Sequence, residues 1–83
     1  MKISSALLQI LNKTYEPSSM INLTFRGNDL AIKTNEDGEA ILLFIGKLTG
    51  EGTVKGERYA RRLKKDEQGN TVKDHWELKG KAS

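Results

Sequence analysis

The side chains that could support catalysis are few, and their spacing argues against it. His75 is the only histidine, and Asp74 precedes it directly. An Asp–His relay needs both groups on one side, but neighbours on a strand point to opposite faces. There is no cysteine, so disulfides, thiolate metal sites and a cysteine nucleophile are excluded. A single histidine likewise excludes a multi-histidine metal site within one chain. The acidic pairs Glu36-Asp37 and Asp66-Glu67 fall in turn-forming stretches, where carboxylates are simply well solvated. The expectation is a protein that is not an enzyme and holds no cofactor and no metal.

The stretch Gly50-Glu51-Gly52-Thr53-Val54-Lys55-Gly56 has the look of a phosphate loop. Three residues separate its last two glycines, one more than the G-x-G-x-x-G spacing allows, and a strand pattern follows it. Without a helix N-terminus an anion gains little there, so the stretch reads as a hairpin turn.

The basic residues are the best candidates for chemistry. The net charge is +3, yet residues 1–54 carry five basic and six acidic side chains, whereas residues 55–83 carry nine basic and five acidic. The excess therefore lies in the C-terminal third and points to an anionic partner. Arg58, Arg62, Lys64 and Lys73 are the expected contacts, suited to the phosphates of a nucleic acid or another polyanion without reading bases. Arg61, Lys65, Lys79 and Lys81 extend the cluster; Glu57, Glu67 and Glu77 dilute it. Lysines on an edge strand also guard against sheet-to-sheet aggregation, which is the solvated-surface alternative.

The elements that position these residues follow from periodicity. Ile3, Ala6, Leu7, Ile10 and Leu11 form one apolar stripe at helical spacing. Ser4 is a good N-cap, and Pro17 forbids helix at Glu16, which predicts a helix over 4–15. From Met20 onward the apolar residues alternate, and glycine-containing turns punctuate them. Strands are expected at 20–26, 29–35, 39–48, 53–65 and 71–81. The fold class is thus α+β: an N-terminal helix packed on a five-stranded antiparallel β-meander, in one small unit over 1–83. Residues 57–68, rich in helix formers, are the segment where a helix competes with the strand.

Register then decides which side chains share a face. A turn centred on Gly27-Asn28 pairs Phe25 with Leu30 and Leu23 with Ile32, with Ile41, Leu43 and Ile45 on the same side. Leu42 and Phe44 point the other way. An even-numbered loop at Gly50/Gly52 aligns them with Tyr59; a three-residue loop or bulge there would flip the second half of the sheet. A four-residue loop over 66–69 pairs Leu63 with Val72, Tyr59 with Trp76 and Arg61 with Asp74. The sheet so built is apolar on both faces, and one helix cannot cover both. Leu42, Phe44, Tyr59, Leu63, Trp76 and Leu78 then form a self-association face, and a homodimer is the expected partner arrangement. The alternative is a curled sheet or half-barrel with an apolar pocket for a small ligand.

The longest apolar run, residues 40–45, is far short of the ~20 residues that span a bilayer, so no membrane partner is expected. Ser4, Ser5 and Gln9 interrupt the N-terminal apolar stretch, which argues against a signal peptide. Absent cysteines fit a reducing compartment, and a cytoplasmic location is the expectation.

Overall fold

Ser4 opens the helix as its residue type predicts: in the computed structural model, which describes residues 3–82, its Oγ accepts from the Leu7 N–H at 3.2 Å. Helix α1 runs Ser5–Leu11 and buries Leu7 and Leu11. It stops short of the expected residue 15 because the following segment finds better partners. The Tyr15 N–H donates to the Gly38 carbonyl at 2.8 Å, and Thr14 bridges to Glu39. The Tyr15 hydroxyl turns back at 2.7 Å to the Ile10 carbonyl, which also accepts from the Lys13 N–H at 3.3 Å.

The strands are β1 (Met20–Phe25), β2 (Asn28–Thr34), β3 (Ala40–Leu48), β4 (Val54–Lys65) and β5 (Thr71–Ala82), neighbours in chain order and antiparallel throughout. Residues 57–65 are strand: pairing with β5 along their whole length, and with β3 as far as Ala60, overrides their helix propensity. The first turn is centred one residue earlier than expected, on Arg26-Gly27, whose φ values of 49° and 81° mark a two-residue I′ hairpin. Leu23 therefore pairs with Leu30 and Ile21 with Ile32. The slip is by two residues in total, so every side chain keeps its predicted face.

The other three hairpins share one loop. In residues 35–39, 49–53 and 66–70 the first N–H donates to the last carbonyl, at 3.0, 2.7 and 2.9 Å. The fourth residue of each is a glycine with φ between 79° and 85°. Asn35, Thr49 and Asp66 each accept from a backbone N–H two residues on. This is a type I turn closed by a left-handed glycine, a loop that places residues of like parity opposite each other. Behind two of the loops a second irregularity, at Lys33/Thr34 and at Lys64/Lys65, restores the other parity. Behind 49–53 there is none, and the register runs unbroken from Leu48↔Val54 to Leu42↔Ala60.

This overturns the even-loop expectation. Tyr59 pairs with Leu43, not with the Leu42/Phe44 side. The last hairpin also slips by two, giving Leu63↔Asp74, Arg61↔Trp76 and Tyr59↔Leu78, because Asn70 joins the loop and Val72 becomes the extra residue, 59% exposed. One apolar face results. Leu7 and Leu11 pack with Leu30, Ile32, Ala40, Leu43, Ile45 and Tyr59, flanked by Ile21, Leu23, Phe25 and Trp76. Each fully buried leucine or isoleucine there contributes about 1.5–3 kcal/mol.

Gly46 and Gly56 face each other on β3 and β4. A Cβ at Gly46 would collide with the Lys55 carbonyl, and one at Gly56 with that of Ile45. This close approach lets the hairpin end curl over the sheet's outer face, where Val54 is only 4% exposed.

Candidate functional site: the outer face of the sheet

The four basic residues singled out from sequence share the outer face. Arg58 lies opposite Phe44, Arg62 opposite His75, and Lys64 opposite Lys73. Ala60, between Arg58 and Arg62, lies opposite Leu42, and Leu42 opposite Lys33. Lys33 was not singled out; the alternation of β2 was the signal that would have found it. Arg58, Arg62, Lys64, Lys73 and Lys33 are exposed, while Leu42 and Phe44 are half-buried among them.

Two carboxylates lie on this face, Asp29 opposite Gly46 and, among the basic residues, Glu77. Its Oε2 accepts from Lys79 Nζ at 2.8 Å, and its Oε1 lies 3.2 Å from Arg62 Nε and 3.9 Å from His75 Nε2. The Lys79 hydrogen bond, with the nearby positive charges, holds the Glu77 carboxyl below its ordinary range. Among the described residues Arg58, Lys64 and Lys73 have no ion-pair partner. Like charges directly across strands, as at Lys64 and Lys73, are unfavourable unless an anion sits between them.

The remaining cluster members are committed elsewhere. Lys65 Nζ donates to Glu39 at 2.7 Å and Asp37 at 3.3 Å, ties that raise its pKa and lower that of Glu39. Arg61 faces inward. Its guanidinium grips Asp74, and also donates to the Ala40 and Leu11 carbonyls and the Asn12 side chain. Asp74 thus finds the predicted arginine, along a diagonal of the sheet and not directly across it.

The six residues expected to form one self-association face are divided. Leu42 and Phe44 lie outside, whereas Tyr59, Leu63, Trp76 and Leu78 lie on the helix side, Tyr59 fully in the core. No single surface contains them, because the odd loop at 49–53 reversed β4 and β5.

Among the described residues three concavities lie on the sheet, one of about 370 Å³ lined by residues that include Asn22, Thr24, Asp29, Leu48 and Val54. On the outer face, Met20, Asn22, Ala31, Phe44, Gly52, Thr53 and Val54 enclose about 290 Å³. Beside the helix, a shallower cleft of about 620 Å³ is lined by residues that include Ile3, Leu8, Tyr59, Trp76 and Leu78. The Trp76 indole N–H is buried there without an acceptor among the described residues. No group of three or more metal-ligating side chains occurs among the described residues, and no described helix is long and apolar enough to cross a membrane.

Comparison with protein-family models, with characterised proteins and with solved structures gives no match to this chain.

Proposed function

We propose that this chain is a non-enzymatic binding module whose outer sheet face engages an extended polyanion, with single-stranded nucleic acid the favoured partner. The observation that carries this is the parity of the 49–53 loop. It sets Phe44 and Leu42 on the same face as Arg58, Arg62, Lys64 and Lys73. A face combining an aromatic ring with a track of cations suits a flexible strand, which stacks bases on rings and neutralises phosphates. Arg58 and the facing pair Lys64/Lys73 supply cations that no protein carboxylate neutralises among the described residues.

The test is a salt titration of binding to a labelled single-stranded oligonucleotide. Four phosphate contacts should give log K falling with log salt at a slope of about −3, from about −0.7 per contact. Replacing Arg58 and Arg62 together by glutamate should abolish binding and leave the circular dichroism unchanged. No binding by the wild type at low salt would remove the reading.

A second reading is favoured by the Trp76 cleft: a small apolar ligand seated against Tyr59, Trp76 and Leu78. Trp76 is the only tryptophan, so such a ligand would change its emission directly. A homodimer through Leu42 and Phe44 would occupy the same face as the polyanion, and the two would compete.

A further inference from the structure

We propose that the outer-face concavity beside Phe44 is a base pocket, receiving one nucleobase of the strand whose phosphates lie along Arg58, Arg62, Lys64 and Lys73; this rests on the polyanion reading above. Three features of the concavity point to a ring and not to a phosphate. Its walls are apolar, made by Met20, Ala31, Phe44 and Val54. Its volume of about 290 Å³ lies at the small end of the ~300–1,000 Å³ typical of ligand sites, room for one planar ring system. Its roof is the curled hairpin end, where Gly52 and Thr53 close over the sheet beyond the Gly46/Gly56 contact.

The surroundings supply what a base and its backbone require. Arg58 lies directly across from Phe44 on the same face, so a phosphate at Arg58 is attached to a sugar beside the ring. Asn22, exposed on β1 at the rim, carries an amide that both donates and accepts and makes no hydrogen bond among the described residues. A base edge can pair with it while the faces of the ring contact Phe44 and Val54. No carboxylate lines the pocket.

The experiment compares three probes on the intact chain: an oligothymidylate, the same backbone with every base removed, and inorganic polyphosphate. The wild type should bind the base-bearing strand about tenfold or more tightly than the abasic one, the effect of one stacked base. Phe44→Leu keeps the site apolar but removes the ring, and Asn22→Trp fills the pocket from an exposed edge position. Both should erase the preference for bases while leaving the abasic strand and polyphosphate bound as before. Equal wild-type binding of all three probes, or a preference that survives both variants, would overturn the pocket and leave the polyanion reading standing. Failure of the wild type to bind any of the three would remove both.

Discussion

Arg61 holds Asp74 through two contacts of 2.7 Å, Nε to Oδ1 and Nη2 to Oδ2. Its other donors reach the Leu11 carbonyl at 3.4 Å, the Ala40 carbonyl at 3.2 Å and Asn12 Oδ1 at 3.1 Å. One side chain thus joins the C-terminal end of α1, the start of β3, and β5. The guanidinium also lies 5.5 Å from the centroid of Trp76. Its side chain is 8% exposed, against 38% for Asp74, so its bonds are largely shielded while the carboxylate keeps some water.

Arg61→Ala should therefore destabilise the fold by about 2–4 kcal/mol, below the full penalty for breaking a buried pair because Asp74 remains partly solvated. Arg61→Lys should recover little, since an ammonium cannot reproduce the planar fork. Urea denaturation followed by circular dichroism measures both. A lysine variant as stable as the wild type would show that charge alone, and not the fork, holds the three elements.

The same pair sets an acid limit on stability. Hydrogen bonding from Arg61 lowers the Asp74 pKa in the folded state below its ordinary value. A group so lowered stabilises the fold at pH above its unfolded value, about 3.9, and that stabilisation disappears as pH falls through the folded value. Stability should accordingly drop as pH is lowered below about 4. Asp74→Asn, less stable than the wild type at neutral pH, should lose less on acidification, by thermal melts across the series.

The architecture was legible from alternation and turn residues, because both act locally. Every strand could be placed from residues such as Ile21, Leu23 and Phe25, and the helix start from Ser4 alone. Its end was not legible, since Thr14 and Tyr15 leave the helix for partners at 38–39 that no local pattern announces. The composition of the two faces turned on one loop. Thr49 and Gly52 occupy the same positions as Asn35 and Gly38, or Asp66 and Gly69, yet only the 49–53 loop lacks a compensating bulge in the strands behind it. Bulges at Ile41 and Val72 depend on tertiary packing, so parity could not be derived from sequence spacing. The basic residues of the outer face were identified, but their aromatic neighbour was assigned to the opposite side.

The Gly46/Gly56 contact should be the least tolerant backbone position in the sheet. Gly46→Ala places a methyl against the Lys55 carbonyl and should cost about 1–3 kcal/mol, as overpacking does. Gly50→Ala, with open space at its Cβ, should be close to neutral. Paired chemical melts would report the difference, and an equal effect at both sites would mean that the strands separate readily there.

Tyr59 and Leu42 should behave oppositely to the behaviour a shared association face would impose. Tyr59 is 3% exposed and packs in the core, so Tyr59→Ala should cost about 3–5 kcal/mol, in the range of large aromatic truncations. Leu42, half-buried outside, should cost about 1–2 kcal/mol when truncated, less than a fully buried leucine. Light scattering with denaturation separates stability from association. A Tyr59 variant that folds normally and changes only oligomeric state would return Tyr59 to an interface.

Trp76 offers a built-in test of which face is used. It lies opposite Arg61 on the helix side of the sheet, away from Phe44, Arg58 and Arg62. A polyanion seated on the outer face should leave its emission maximum and its quenching by acrylamide unchanged at saturation, even while anisotropy shows the oligonucleotide bound. An apolar ligand in the cleft beside the helix should instead shift the emission and shield the indole, because Trp76 lines that cleft. Leu78→Lys, at a position 47% exposed in the same cleft, should weaken such a ligand without altering the salt dependence of oligonucleotide binding. Quenching of Trp76 by the oligonucleotide in proportion to its binding would place the strand on the helix side and overturn the outer-face assignment.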